Sequence, residues 1–197
     1  MSPPPKLLIF AGSTRQQSFN RQLAGVAATL ASASGAAVTH LELDELDIPM
    51  YNADLEARAT PPDVMKLKQI LFEHPAWIIC SPEYNGSYTA LLKNTIDWAS
   101  SPVKGDAHWA SGTKPFAGKV VGLLSASPGA FGGLRGIGHL QPLLLNLQCW
   151  VAPKNFCLGK AGEAFDADGN LLTETAQKGV QAVVDQVIWA TASMNSQ

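Results

Sequence analysis

The sequence predicts an α/β protein in which a five-stranded parallel sheet is covered by helices on both faces. Short apolar runs alternate with longer segments that carry apolar residues at helical spacing. The short runs are hydrophobic at almost every position, which is typical of strands buried on both faces. Strands that alternate with helices are joined by crossover connections and therefore run parallel. The expected architecture is a doubly wound sheet.

The predicted elements follow one another in a regular order. Strands are expected at residues 6–11, 36–43, 76–80, 119–125 and 149–157, and helices at 19–33, 61–74, 89–100, 133–147 and 173–192. A loop is expected from the second strand through Asp54. Pro61 and Pro62 mark a helix start, because proline is tolerated in a first turn. Since no repeat or linker interrupts this order, residues 1–197 are expected to form one domain, with residues 1–5 as a flexible tail.

The loop between the first strand and the first helix is rich in groups that bind anions. From Gly12 to Asn20 it reads GSTRQQSFN. A helix N-terminus offers unpaired backbone N–H groups and the positive end of the helix dipole. Hydroxyl, amide and guanidinium donors add to these at Ser13, Thr14, Arg15, Ser18 and Asn20. The loop lacks the motifs of nucleotide and dinucleotide sites, and a plain capped turn is the alternative to a phosphate site.

A second loop follows the third strand. The turn formers Ser81-Pro82-Glu83-Tyr84-Asn85-Gly86 lie between an apolar run and a helical pattern. Pro82 stiffens this turn, and Gly86 permits backbone conformations that other residues resist. Exposed backbone N–H groups here can meet the acceptor edge of a planar ring, and Tyr84 offers stacking surface. A simple turn with Tyr84 packed on its neighbours is the alternative.

The third loop, from Ser125 to Arg135, has the same position after the fourth strand. Its glycines indicate either close approach of the backbone to another group or a flexible turn. Ligands of open α/β sheets bind beyond the carboxyl ends of the strands. The three loops are therefore expected to meet at one site.

Together these segments make the chain resemble a known family. The resembling stretches are Gly12-Ser13-Thr14-Arg15 with Ser18-Phe19-Asn20, the run DIPMYNAD from Asp47 to Asp54, Pro82-Glu83-Tyr84-Asn85, the run LKNTIDW from Leu92 to Trp98, and Gly132-Gly133-Leu134-Arg135. Their order and spacing are similar to those of the NADPH-dependent FMN reductase family. These flavodoxin-like flavoenzymes include bacterial quinone and chromate reductases.

The resemblance implies a flavodoxin-like fold with strand order 2-1-3-4-5 and FMN at the point where that order reverses. It implies an FMN-dependent oxidoreductase that passes hydride from NADPH or NADH through FMN to quinones or similar small acceptors. The first loop would hold the FMN phosphate, the second would lie along the isoalloxazine ring, and the third would border the ring. The cofactor-binding residues expected on this basis are Ser13, Arg15, Ser18, Phe19, Asn20, Pro82, Glu83, Tyr84, Asn85, Gly86, Ser125 and Ser127.

The same resemblance implies a homodimer or homotetramer. Trp98, Trp109 and the helix after Gly133 are candidates for its interface, because aromatic residues are enriched in interfaces. Ordinary core positions are the alternative for these side chains. No side chain is expected to act as a catalyst, because the chemistry occurs at the flavin.

Composition disfavours several other classes of function. A net charge of −2 argues against nucleic acid or an anionic membrane as a partner. No apolar run is long enough to span a bilayer. Cys80, Cys149 and Cys157 lack the spacing of metal ligands, the histidines are scattered, and no metal is expected. The odd number of cysteines, without a secretory signal, favours a cytoplasmic protein with reduced thiols.

Three other functions are weighed against this one. A flavodoxin-type electron carrier is disfavoured, because such carriers tend to be strongly acidic. A reductase that releases reduced FMN to a monooxygenase would lose its flavin during gel filtration. A non-catalytic interaction protein would need a blocked ring. Two departures from the family bear on whether the ring is blocked. Thr89-Ala90, preceded by Tyr88, stands where the family often has Pro-Gly, and this extra bulk would narrow the space over the flavin. The connection from Ser100 to Lys119 is also longer than usual. That connection is expected at the end of the sheet opposite the FMN loops.

Overall fold

The predicted parallel sheet and its strand order are confirmed. The computed structural model describes residues 4–194. Its strands are β1 (Lys6–Ala11), β2 (Ala37–Leu41), β3 (Ala76–Cys80), β4 (Val120–Ala126) and β5 (Trp150–Leu158). They form one sheet in the order β2-β1-β3-β4-β5, and every neighbouring pair is parallel. Part of the expected flexible tail, residues 1–3, lies outside the described residues.

The helices of the described chain are α1 (Phe19–Ala33), α2 (Ala53–Arg58), α3 (Pro62–Glu73), α4 (Ala90–Ala99), α5 (Leu134–Asn146) and α6 (Glu174–Met194). Helix α2 begins inside the segment expected to be loop, so that prediction was wrong there. Asn52 explains its start, because the side-chain oxygen accepts the N–H groups of Asp54 (2.8 Å) and Leu55 (3.1 Å). A helix of six residues is too short to show a clear helical spacing of apolar residues, so the pattern did not predict it.

Side chains of the strands alternate between two apolar cores. Leu7, Ile9 and Ile78 pack on one face with α1 and α6. Leu8 and Trp77 pack on the other face with α3, α4 and α5. Every residue of β3 and β4 is buried, as the continuous apolar runs predicted.

The three loops begin side by side at the carboxyl ends of β1, β3 and β4. The N–H of Gly12 donates to the carbonyl of Cys80 (2.9 Å), and the N–H of Ser81 donates to the carbonyl of Leu124 (2.9 Å). The N–H of Ser127 donates in the same way to the end of β5 (3.0 Å). These bonds extend the sheet by one residue per strand and fix the starting point of each loop.

The connection 100–119 leads from the end of α4 to the amino end of β4. It therefore lies at the end of the sheet opposite the three loops, as its place in the order predicted. The N–H of Val120 donates to the carbonyl of Pro75, which immediately precedes β3 (3.0 Å). Trp109, within this connection, is buried with its ring 5.7 Å from that of Phe72. Trp98 is buried as well. Of the two alternatives for these tryptophans, an interface or the core, their burial favours the core of their own chain.

Candidate functional site

Two serine hydroxyls of the first loop are buried and have uncommitted protons. Ser13 is 8% exposed and accepts the N–H of Arg15 (3.4 Å), and Ser18 is 3% exposed and accepts the N–H of Asn20 (3.3 Å). Neither hydroxyl donates to another described residue. Ser18 is the N-cap of α1, so its hydroxyl lies where the helix dipole favours negative charge. The pair can donate two hydrogen bonds to an anion.

The guanidinium of Arg15 lies at the mouth of this loop. It donates to the carbonyl of Gln17 (2.7 Å) and lies 5.5 Å above the ring centre of Phe19. These two contacts restrain an otherwise exposed side chain. A restrained cation beside two free hydroxyls is a suitable partner for a phosphate.

Asn20 joins the first loop to the third. Its side-chain amide donates to the carbonyl of Ala126 (2.8 Å), and its oxygen accepts the N–H of the same residue (2.9 Å). The side chain thus pairs with the last residue of β4 much as another strand would. Asn20 borders the site, but its main contact here is structural.

Asn85 and Gly86 form a tight reversal in the second loop. Both have positive φ, 52° and 80°, and the flanking Tyr84 and Ser87 exchange backbone hydrogen bonds of 2.9 and 3.1 Å. Positive φ at both central residues defines the two-residue hairpin turn that Asn-Gly favours. The N–H groups of Asn85 and Gly86 donate to no described residue. The turn therefore presents free donors next to the exposed ring of Tyr84.

Glu83 binds the start of α5. Its carboxylate accepts the N–H groups of Arg135 (3.0 Å) and Gly136 (3.2 Å), and the Arg135 side chain donates to it (2.8 Å). Burial alone would raise the pKa of Glu83, but the Arg135 guanidinium and the Gly136 N–H outweigh it and hold the pKa below the usual value. Glu83 is therefore a carboxylate at neutral pH rather than a proton donor.

The third loop depends on a glycine that packs against Ser125. Gly133 has a φ of 91°, and a Cβ there would lie 1.9 Å from the hydroxyl of Ser125. Ser125 is fully buried and donates to the carbonyl of Ser81 (2.7 Å). The structure thus places Ser125 beneath the loops, whereas Ser127 reaches their surface.

A cleft of about 290 Å³, here called the main cleft, lies between the three loops. Its lining consists of Ser13, Arg15, Ser18, Phe19, Asn20, Pro82, Glu83, Tyr84, Ala126, Ser127 and Pro128. The predicted site residues that do not line it are Asn85, Gly86 and Ser125. Ala126 and Pro128 also line the cleft but were not predicted. Both are direct neighbours of Ser127, a predicted site residue, and this adjacency could have indicated them.

A second hollow of about 290 Å³, here called the side cleft, shares Ser13, Arg15 and Tyr84 with the main cleft. Thr89 forms part of its wall, donating to the carbonyl of Gly12 (2.8 Å) while capping α4. Tyr88 lines neither cleft, because it packs against the core of α3, α4 and α5. Of the three residues at and just before the place of the frequent Pro-Gly, Thr89 and Ala90 therefore line the side cleft, and Tyr88 does not.

Comparison with known proteins decides the family. Residues 5–163 match the model of a family described as NADPH-dependent FMN reductase. The chain belongs to the NADPH-dependent FMN reductase family. Membership confirms the resemblance drawn from the loop motifs, and with it the prediction of an FMN-dependent NAD(P)H oxidoreductase.

Relatives match this FMN reductase along nearly its whole length. An NAD(P)H-dependent FMN reductase of Pseudomonas aeruginosa is 35% identical over 187 residues, which cover 92% of each protein. An NAD(P)H:quinone oxidoreductase of Solanum tuberosum is 34% identical over 189 residues, which cover 92% of this chain and 90% of that protein. The solved structure of the flavoenzyme NAD(P)H:(acceptor) oxidoreductase FerB from Paracoccus denitrificans superposes with a TM-score of 0.81 and 29% identity, covering 96% of this chain and 98% of that one.

The described residues form neither a metal-binding cluster nor a helix suited to cross a membrane. Within residues 4–194, no group of three or more His, Cys, Asp or Glu side chains is placed to hold a metal ion. Over the same residues, no helix combines the length and the apolar character that a membrane span requires.

Proposed function

We propose that this reductase transfers hydride equivalents from NAD(P)H, through FMN held in the main cleft, to quinones or similar small acceptors. The observation that carries the proposal is the division of the cleft into two chemical halves. One half holds buried uncommitted hydroxyls and a cation, and the other offers the apolar and aromatic surface of Pro82 and Tyr84. The turn that follows Tyr84, outside the cleft lining, adds two N–H groups with no described acceptor. When bound, FMN accepts hydride from the nicotinamide and passes electrons to the acceptor.

The phosphate end is assigned to residues 13–20. Ser13 and Ser18 supply donors at the N-terminus of α1, and Arg15 supplies charge. Hydrogen bonds to a charged group are roughly twice as strong as neutral ones. Asn20 contributes by holding the loop against β4. A doubly charged phosphate matches these donors better than any neutral group does.

The ring end is assigned to residues 82–86. Pro82 and Tyr84 present flat apolar surface, and the N–H groups of Asn85 and Gly86 have no described acceptor. Such donors suit the carbonyl and ring-nitrogen edge of an isoalloxazine. Ser127 borders the ring from the third loop. The proposed contribution of Ser125 is indirect, through its bond to Ser81.

Substitution of Arg15 tests the phosphate assignment. Arg15→Ala should weaken FMN binding by about 1.5–3 kcal/mol, the range for a hydrogen bond to a charged group. Riboflavin, which lacks the phosphate, should bind the variant and the wild type equally. Arg58→Ala removes the same charge from the exposed end of α2 and serves as the control. Equal losses of FMN and riboflavin affinity would contradict the placement.

Turnover assays test the reaction. Anaerobic NADPH should bleach the flavin absorbance of the holoprotein, and a quinone should restore it over many cycles. An electron carrier would show no steady NADPH oxidation. A reductase that treats FMN as a substrate would emerge colourless from gel filtration, whereas the proposed enzyme retains its flavin.

The proposal includes a homodimer or homotetramer. Large apolar side chains near the strand-end loops and along α5 are exposed, among them Met50, Phe131, Leu134 and Leu145. Exposed apolar surface of this kind is typical of protein contacts. Light scattering at micromolar concentration should show a multiple of the 20.9 kDa chain mass. A species of the chain mass alone would refute this part.

We also propose that residues 1–197 act as one domain in the cytoplasm. The two cores share one sheet, which supports a single cooperative unit. The three cysteines are unpaired thiols, as a reducing compartment would keep them. Coincident denaturation curves from fluorescence and circular dichroism test the first statement, and cell fractionation tests the second.

A further inference from the structure

A cavity of about 460 Å³ lies away from both clefts. We call it the α1 groove, and its wall is formed by one face of α1, the turn 168–171 and the start of α6. The lining residues are Gln22, Gly25, Val26, Thr29, Leu30, Asp168, Gly169, Asn170, Leu171 and Gln177. Its volume falls in the range of small-molecule sites, roughly 300–1,000 Å³. None of its residues lines the main cleft or the side cleft.

The α1 groove contains an unsatisfied acceptor. The Oε1 atom of Gln22 is the single buried side-chain nitrogen or oxygen within residues 4–194 that has no hydrogen-bond partner. A buried acceptor without a donor reduces stability, and native proteins rarely keep one without a reason. The atom is closed off from solvent, so it lies behind the lining of the groove, and a ligand would reach it only if the Gln22 side chain moved.

The charge of the α1 groove is negative. The carboxylate of Asp168 makes no hydrogen bond or ion pair with a described residue, and no lysine, arginine or histidine lines the groove. The carboxylate of Asp166 lies next to this wall, because it accepts the N–H groups of Asp168 (2.9 Å) and Asn170 (2.8 Å). A cation matches this surface, whereas an anion would be repelled.

Gly25 keeps part of the α1 groove open. It lies in the middle of a 15-residue helix, where glycine is less favourable than alanine. A Cβ added at Gly25 would meet no atom within 4 Å, so close packing does not demand glycine there. Because Gly25 lines the groove, the open space beside it is available to a ligand.

We propose that the α1 groove binds a small organic cation, namely an ammonium group on an apolar stem. The ammonium lies at Asp168, and the stem lies on Val26, Leu30 and Leu171. Binding there is independent of the flavin. The N–H of Gln22 donates to the carbonyl of Ser18, so the occupied groove also touches the helix turn that carries the phosphate loop.

Calorimetric titration of the FMN-loaded protein with three probes of equal length tests the proposal. The probes are n-hexylamine, n-hexanol and n-hexanoate. We expect hexylamine to bind most tightly, hexanol more weakly, and hexanoate not at all. Asp168→Asn should weaken hexylamine by about three- to fivefold, the range for an exposed charge pair, and leave hexanol unchanged.

Gly25→Leu fills the groove and should abolish binding of hexylamine and hexanol. Its melting temperature should be equal to or above that of the wild type, because leucine favours the helix. Gly138→Leu, at an open exposed position of α5, is the matched control and should bind as the wild type does. Equal binding of all three probes, absence of binding at millimolar concentration, or binding unaffected by Gly25→Leu would overturn the proposal. FMN affinity should be the same in both leucine variants, so failure here leaves the reductase function untouched.

Discussion

The carboxylate of Glu83 closes the N-terminus of α5 and holds the side chain of Arg135 at the same time. It accepts two backbone N–H groups of that helix, those of Arg135 and Gly136, together with the Arg135 side chain. The Glu83 side chain is 8% exposed, whereas the Arg135 side chain is 71% exposed. A carboxylate at a helix N-terminus is electrostatically favourable. One side chain thus sets the position of the second loop relative to the third.

Glu83→Gln should destabilise the protein and weaken FMN binding. Glutamine keeps the shape but loses the charge that both the guanidinium and the helix end require. We expect a loss of about 1–3 kcal/mol in the free energy of unfolding, measured with urea. Glu174→Gln breaks an exposed ion pair with Lys178 and should change stability by less than about 1 kcal/mol. Equal effects of the two substitutions would show that the Glu83 contact is of no special importance.

Acid should remove the contribution of Glu83. Its pKa in the folded protein lies below the ordinary value of 4.5, because Arg135 and Gly136 outweigh the effect of burial. A carboxyl group with a lowered folded pKa stabilises the protein above its unfolded pKa and loses that effect as pH falls through the folded pKa. The stability difference between wild type and Glu83→Gln should therefore be constant near neutrality and shrink below about pH 4.5. A difference that grows on acidification would contradict this sign.

Asn20→Asp tests the bridge between the first and third loops. An aspartate cannot donate to the carbonyl of Ala126, and its second oxygen would repel that carbonyl. We expect a loss of about 1–3 kcal/mol in the free energy of unfolding. Gln16→Glu adds the same charge to an exposed position of the same loop and should be nearly neutral for stability. Equal stability of Asn20→Asp and Gln16→Glu would show that the bridge contributes nothing.

The sheet and the three loops could be predicted because their signals are local. Buried strands read as continuous apolar runs, and loops that follow parallel strands must meet at one edge. The Asn85-Gly86 hairpin carried a local signal as well, since this dipeptide favours positive φ at both positions. These features need no knowledge of distant residues.

The contacts that hold the site together could not be predicted. Glu83 and Arg135 are 52 positions apart, and Asn20 and Ala126 are 106 positions apart. Neither a period nor a motif specifies which distant groups pair. Ser125 was expected at the cofactor because a loop begins nearby, but it belongs to β4, and the sheet buries its side chain.

Gly133→Ala should disrupt the third loop by two separable effects. The new Cβ would lie 1.9 Å from the Ser125 hydroxyl, and the φ of 91° is strained for any residue with a side chain. The strain alone costs about 1–3 kcal/mol. Adding Ser125→Ala should restore only part of the lost stability, because the φ and a 3.0 Å contact with the Ser125 Cβ remain. Gly138→Ala, with open space around it, should instead stabilise α5 by up to about 1 kcal/mol. Full recovery in the double variant would show that the clash is the whole effect.

Lys68 should make stability rise with alkaline pH. Its side chain is fully buried, and its ammonium donates to the carbonyls of Ala99 (2.8 Å) and Ser101 (2.5 Å) where α4 ends. Burial lowers the pKa of Lys68 from 10.5 to about 8. Between these two values the unfolded chain binds more protons than the folded protein, so the free energy of unfolding must increase with pH.

The measurement compares Lys68→Met with Lys66→Met, which removes an exposed lysine from the same helix. From pH 8 to 10.5, the stability of the wild type should rise relative to that of Lys68→Met, whereas it should run parallel to that of Lys66→Met. Below pH 8 the three curves should be parallel, because Lys68 is protonated in both the folded and the unfolded states. The neutral amine can still donate to the carbonyls of Ala99 and Ser101, so these contacts remain after deprotonation. The slope of stability against pH therefore reports the free-energy cost of burying the charged form of Lys68. A wild-type curve that falls relative to Lys68→Met over this range would mean that the ammonium is better stabilised inside the protein than in water.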